Sequence, residues 1–434
     1  MHDRVSARTY IYRKDFEESG WVFAVLLLYL FSFVAEAPIR YLLHLIGAEP
    51  LLYLRDAALL ALVAIYFIKK LSVWKMNTFV LVATAVIGYF SVIGLIYIKS
   101  LAMVAFGIKI LLPVMSGIIF FKSIMKRMET FKIFVTLFFL IAVAGLIWDI
   151  YAVLPWESLT YKLGEFDVLA VKTEYIPGGF DRNTGFAGNP QKAADQIMFF
   201  GFLLFALARN LGRKTVLYIL IGIILSRIRV KSLMAAYILT LPIVLTPRTP
   251  TFRSIGKFYK IGLIVPLLIM IAVPMLGHLP YFDSLIYDES YEILFGSFRE
   301  RLVGTWPAAF SLASEHGNKY LGRGIGGLGG GQAFFEPNLY NPGDNLFVHL
   351  YVMVGVFSIV ILFYLYWRSQ SLELRRYDMD YFVFLFIYIV FFYGLASSGL
   401  EDGVMAILYG FVLRYLSSMK YTSWGNIPFE IQSV

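Results

Sequence analysis

Residues 78–98 read TFVLVATAVIGYFSVIGLIYI, a run with no charged side chain and no polar break. At 1.5 Å per residue such a run makes a helix about 30 Å long, which is the thickness of a bilayer's hydrocarbon core. A transmembrane β-strand would be about 10 residues long and would alternate apolar with polar positions. The run therefore reads as a transmembrane α-helix, and it sets the class of the whole chain.

Working outward from it, the flanking charges give an orientation. Lys69, Lys70 and Lys75 precede the run, and Lys122, Lys126, Arg127 and Lys132 follow the next apolar stretch, about 101–121. Basic clusters two spans apart are what the positive-inside rule requires of cytoplasmic loops. Similar runs at about 21–34, 51–68, 134–154, 197–207, 216–225, 233–245, 261–276, 345–367, 381–395 and 404–416 complete a set of about twelve. The sixth reaches full length only if Gln191 to Gln196 extend it.

The expected fold is thus all-α: a polytopic membrane helical bundle of about twelve transmembrane helices, with residues 1–434 forming a single membrane domain. Both termini are expected in the cytoplasm, the first with Arg4, Arg8, Arg13 and Lys14. No removable signal peptide is expected. A large external loop, 277–343, should join the ninth and tenth spans.

Composition agrees. Of 434 residues 59% are hydrophobic and 15% charged, with a mean hydropathy of +0.71. The net charge of +9 follows from Lys and Arg on cytoplasmic loops and does not call for nucleic acid. Cysteine is absent, which excludes disulfides and thiolate chemistry.

The cations on the other face carry more information. About 23 of the 38 Lys and Arg fall inside and about 13 outside, with Arg55 and Lys109 within spans. The external ones include Arg182, the group Arg227, Arg229 and Lys231 in the turn SRIRVKS, and the group Arg299, Arg301 and Arg323. External cations gain nothing from topology, and arginine's planar fork suits phosphate. Three such segments converging on one cavity would bind a lipid-linked pyrophosphate and stabilise it as it leaves. The plainer alternatives are pairing with loop carboxylates and snorkelling to headgroups. Lys109 could reach into the same cavity from the fourth span, and snorkelling or pairing with Asp56 is its plainer account.

Several residues beside them could carry chemistry. Asp344 opens the tenth span and reads either as a helix cap or as a general base toward a hydroxyl. His316 and His349 are rival bases, His349 lying one turn beyond Asn345; a packed core histidine is its plainer account. The run GRGIGGLGGG, residues 322–331, reads as a nest of backbone N–H groups or as a flexible loop. Glu401 and Asp402 are a solvated turn or a further part of the same cavity. No histidine pair or acidic cluster has metal-ligand spacing, and no cofactor is expected. Neither an internal repeat nor a matched pair of broken spans is visible, which counts against a secondary transporter for an anionic substrate, a flippase included.

Four pieces together resemble the superfamily of O-antigen ligases and Wzy-type polysaccharide polymerases, integral membrane glycosyltransferases of the GT-C type. They are RNTGFAGNP (182–190), the Ser226 and Arg227 pair, the segment from Arg301 through Trp306, Ala308 and Ala309 to the glycines 322–326, and DNLFVHLYVMVGVFS (344–358). The arginine-to-tryptophan spacing is one residue longer than is usual there, so Arg299 and Arg301 stand as alternatives. Asp344 occupies the place of the ligases' histidine, and an Asp-Asn pair is similar to that of exopolysaccharide polymerases.

The resemblance implies short amphipathic helices in the external loop. It also implies a metal-independent, inverting polymerase of a bacterial exopolysaccharide or O-antigen in the inner membrane, facing the periplasm. A polyprenyl-pyrophosphate-linked glycan would be both donor and acceptor, with a chain-length regulator and a flippase as partners beside the membrane lipids. Asp344 would act as base, and Arg182, Arg227, Arg229, Arg299 and Arg301 would hold pyrophosphate. The ligase alternative differs only in its acceptor, lipid A core.

Overall fold

The structure, a computed structural model, describes residues 16–72, 76–157, 159–163, 166–169, 171, 175–176, 180–208, 210–245, 252–277, 297–374 and 379–419. The N-terminal cations Arg4, Arg8, Arg13 and Lys14, the loop residue Lys75, both chain ends and residues 278–296 of the expected external loop lie outside them.

Among the described residues the chain is helical apart from two short antiparallel hairpins. In order, its helices are α1 (Gly20–Val34), α2 (Glu36–Leu45), α3 (Leu54–Leu71), α4 (Thr78–Ile98), α5 (Leu101–Ile119), α6 (Phe121–Lys126) and α7 (Met128–Tyr151). The hairpins β1 (Thr160–Leu163) with β2 (Phe166–Leu169) and β3 (Tyr175–Ile176) with β4 (Phe180–Asp181) follow. Then come α8 (Pro190–Leu207), α9 (Leu211–Ile228), α10 (Lys231–Leu239), α11 (Leu241–Leu245), α12 (Phe252–Gly262) and α13 (Ile264–Leu276). The last group is α14 (Trp306–Glu315), α15 (Gly330–Phe335), α16 (Leu346–Val354), α17 (Phe357–Ser369), α18 (Met379–Tyr393) and α19 (Gly403–Ser418).

Among the described residues, five helices are long and apolar enough to cross a membrane: Glu49–Leu71, Thr78–Ile98, Leu101–Ile119, Met128–Tyr151 and Gly256–Leu276. A sixth is formed if α1 and α2, bent by 85° at Ala35, are taken together. The chain is therefore built as a multi-pass membrane protein, with apolar side chains such as Leu28, Val92, Leu140 and Ile223 on its outside.

Three expected elements take a different form. The tenth span is not continuous, because Gly355 (φ 59°) ends α16 and the Val356 N–H donates to the Tyr320 carbonyl before α17 begins. The eighth is divided at Thr240, two residues before Pro242, which lacks the N–H a continuous helix would use. The expected SRIRVKS turn is mostly helix. Ser226 and Arg227 lie in the last turn of α9, and Arg229 alone takes the left-handed conformation, at φ 66°.

Small residues let the bundle close. A Cβ added at Gly117 of α5 would lie 3.0 Å from the Gly410 Cα of α19, so the two backbones touch there. Behind them α8 is buried on nearly every side, with Ile197, Phe199, Phe202 and Phe205 in the core. The helix at the place of the expected sixth span starts at Pro190, so Gln191 to Gln196 belong to it, and it is capped by Asn189, whose side chain accepts from the Lys192 N–H; it is not among the helices long and apolar enough to cross a membrane.

Candidate functional site

Residues 300–305 form one π-helical turn ahead of α14, and the Trp306 N–H reaches back to the Arg301 carbonyl. Such a turn is costlier than α-winding and is found where a residue must be inserted without losing register. Trp306 is fully buried and anchors the turn, with Phe298 edge-on to it at 5.7 Å. The Asn341 side chain donates to the Thr305 carbonyl at 2.7 Å and ties this turn to the segment leading into α16.

That segment divides its labour between two neighbours. Asn345, not Asp344, caps α16: its side-chain oxygen accepts from the Val348 N–H at 3.0 Å, and its amide donates to the Met270 and Leu395 carbonyls. Asp344 is thereby released from capping. Its carboxylate accepts instead from Arg301 Nε at 3.1 Å, with the two side chains 37% and 23% exposed. Of the expected cations, Arg301 and not Arg299 makes this contact, which separates the two alternatives in geometry.

The glycine-rich run is neither an open nest nor a loose loop. Residues 322–329 are buried, with 324–326 wedged between α4 and α5, and the Ile325 N–H donates to the Phe90 carbonyl. Gly326 (φ 89°) could not bear a side chain, since its Cβ would stand 2.5 Å from the Met103 carbonyl. The N–H groups of residues 325, 327 and 329 already have carbonyl partners. Arg323 belongs to this wedge too: it is buried and bound to Glu336, Nη1 to Oε2 at 2.7 Å and Nη2 to Oε1 at 2.9 Å.

Glu401 reaches the same region. It leaves the turn between α18 and α19 to accept from the Gly330 N–H at 2.7 Å. A Cβ at Gly329 would meet both Glu401 and, at 3.3 Å, the Cε1 of His349. His349 is buried on α16, and its Nδ1 has no hydrogen-bond partner among the described residues. Burial pushes the Tyr340 phenol up, and the Glu401 and Asp344 carboxylates add to the shift. Arg301, Asp344, Glu401, His349 and Tyr340 therefore form one polar neighbourhood, with a cation, two carboxylates and two further groups able to move a proton.

Other expected residues stand apart from it. His316 is exposed at the end of α14, where its N–H donates to the Leu312 carbonyl. Arg227 is exposed on α9, Arg229 follows it, and Arg182 and Arg299 are half-buried. The described contacts bring none of these four onto Asp344. Lys109 pairs with Asp56 at 3.1 Å, as its plainer account has it.

The structure also assembles a network that the sequence did not announce. Glu36, fully buried where α2 begins, accepts from Arg40 at 2.5 Å and from Lys192 of α8 at 2.8 Å, and Arg55 of α3 stands 3.6 Å away. Only the spacing of Glu36 and Arg40, four apart on a helix, could have signalled it.

No protein-family model, curated protein or solved structure matches this chain.

Proposed function

We propose that the chain is a polymerase of a bacterial exopolysaccharide or O-antigen, acting on polyprenyl-pyrophosphate-linked glycans at the outer face of the inner membrane. The reading takes about twelve crossings, with both termini inside. The observation that carries it is the Arg301–Asp344 pair, partly exposed at the end of a helix that Asn345 caps.

In this reading the acceptor hydroxyl gives its proton to Asp344 while its oxygen attacks the anomeric carbon of the donor glycan. The bond from that carbon to the pyrophosphate oxygen breaks, and pyrophosphate leaves with the electron pair. One displacement inverts the anomeric centre. Arg301 is shared: pyrophosphate draws it off Asp344, which uncovers the carboxylate as the leaving group is neutralised. The resemblance of residues 182–190 and 344–358 to the ligase and polymerase superfamily points the same way.

A carrier for the same anionic lipids is the second reading. It is favoured by the buried carboxyls of Asp195 and Asp402, each with one oxygen that has no hydrogen-bond partner among the described residues. One experiment separates the readings: purified protein with a polyprenyl-pyrophosphate oligosaccharide in EDTA, for wild type and Asp344→Asn. A ladder of longer glycans, lost in the variant, is the expected result. Transfer that begins only when lipid A core is supplied would make the chain a ligase. Passage of intact labelled lipid across vesicles, with no transfer, would make it a carrier.

A further inference from the structure

The Glu36 network carries more positive charge than its partners need. Arg40, Lys192 and Arg55 share Glu36, while Lys109 and Arg55 share Asp56 at 3.1 and 3.8 Å. Four cations thus surround two carboxylates, with the carboxyl of Asp402 within electrostatic reach of Lys192 and Glu36.

The cations are not held alike. Arg40 and Lys192 are bound to Glu36 at hydrogen-bond distance, but Arg55 stands back from both carboxylates, over the Phe33 ring at 4.0 Å. Lys109 is 38% exposed, with the rings of Tyr53 and Phe106 5.2 and 5.5 Å from its ammonium. Arg55 Nη1 donates to the Ser32 carbonyl at 3.4 Å, but a ring neutralises little of a cation's charge and takes none of its fixed donors, so Arg55 has further N–H groups and Lys109 two further N–H groups to offer another anion. A phosphate has the charge and the acceptors to use them.

The surroundings favour a lipid's phosphate. After the 85° bend α2 presents Leu42 and Leu45 outward, followed by Ile46, then by Leu51 in a short 3-10 turn and Leu54 at the start of α3. These would lie along an acyl or prenyl chain whose head reached Lys109. Phe106, one turn from Lys109, packs on Gly331 and Phe334 of α15, the helix whose first N–H Glu401 holds. The network is therefore joined through α15 to the Arg301–Asp344 neighbourhood.

We infer that Arg55 and Lys109 open a second site, which binds the phosphate or pyrophosphate head of a lipid. The inference rests on the polymerase reading for its role there. A polymerase holds two lipid-linked pyrophosphates at once, and this site takes the acceptor's.

The test uses the full chain in detergent micelles, in an Arg301→Gln background that removes the cation of the first site. Farnesyl pyrophosphate and phosphatidylglycerol are titrated separately, and retained lipid is counted by native mass spectrometry. Lys109→Gln should weaken retention on the order of tenfold. Lys109→Arg should keep it, and Asp56→Asn, which removes the carboxylate that holds Lys109, should strengthen it. Equal retention by Lys109→Gln and the parent, or weakening by Lys109→Gln and Asp56→Asn alike, overturns the site. Preference for the pyrophosphate identifies a substrate site, and equal retention of phosphatidylglycerol identifies a bulk lipid; both support a phosphate site. Glycan transfer by wild type without this retention pattern would retain the polymerase and discard the site, and the pattern without transfer would do the reverse.

Discussion

Arg301 with Asp344 and Glu36 with its cations both set positive charge against a carboxylate, but the two regions are built to opposite specifications. The first is a single contact of 3.1 Å between partly exposed side chains on a turn and a helix start. The second is buried, gathers residues of α2, α3 and α8, and gives its carboxylate no exposure to solvent. A lone exposed pair contributes about 0–1 kcal/mol to stability and exchanges partners freely. A buried carboxylate with three cations cannot exchange without leaving charge uncompensated. The first arrangement suits the partner exchange that the proposed chemistry requires, and the second suits holding α2, α3 and α8 together.

Substitution should expose this contrast most sharply at Glu36. Glu36→Gln leaves Arg40, Lys192 and Arg55 facing one another, and unfolding in detergent should show a loss of about 3–5 kcal/mol. A loss under about 1 kcal/mol would mean that the network is no scaffold.

The reverse pattern is expected at Arg301. Arg301→Gln should lower glycan transfer about 10²–10³-fold, the scale for one lost donor to a developing anion. Its thermal unfolding should stay within about 1 kcal/mol of wild type. Equal damage to stability and turnover would erase the distinction between the two regions.

Asn345 lies between these extremes, since it holds the helix that carries Asp344. Asn345→Ala removes the cap and should cost about 1–2 kcal/mol, read by chemical or thermal unfolding. It should also slow transfer, because Asp344 is then free to become the cap itself.

The smallest effect is expected from Tyr340. Its phenol is raised above the ordinary value of 10.0 by burial and by Glu401 and Asp344. The folded chain therefore holds this proton more tightly than the unfolded one, a contribution complete below about pH 10 and lost as pH rises through the folded value. Tyr340→Phe should flatten the alkaline fall in stability above that pH and leave neutral stability nearly unchanged.

The two regions were not equally legible. The α4 helix stands where residues 78–98 foretold it, because an uncharged apolar run of that length has no other stable form in a membrane. Asp344 and Asn345 were visible as a helix start, yet which of them capped was open, since both residue types suit the position. The Arg301 contact needed the π-helical turn, and winding of that kind leaves no periodic trace. The Glu36 network was hidden for a different reason. Glu36 and Lys192 are 156 positions apart, and only tertiary packing brings α8 against the bend at Ala35. The glycine run misled because glycines suit mobility and close contact equally, and here the contact with α4 and α5 prevailed.

The π-helical turn also bears on how this chain tolerates changes of length. The Arg301 carbonyl is bonded five residues on, to Trp306, where ordinary winding would bond four on. Deleting one residue between them would let the turn relax to α-helix and still leave the arginine one turn below the tryptophan. Inserting one would leave no regular winding to absorb it. The turn thus has slack in one direction only, and a scan of single-residue deletions and insertions across 302–305 should find the deletions tolerated and the insertions not.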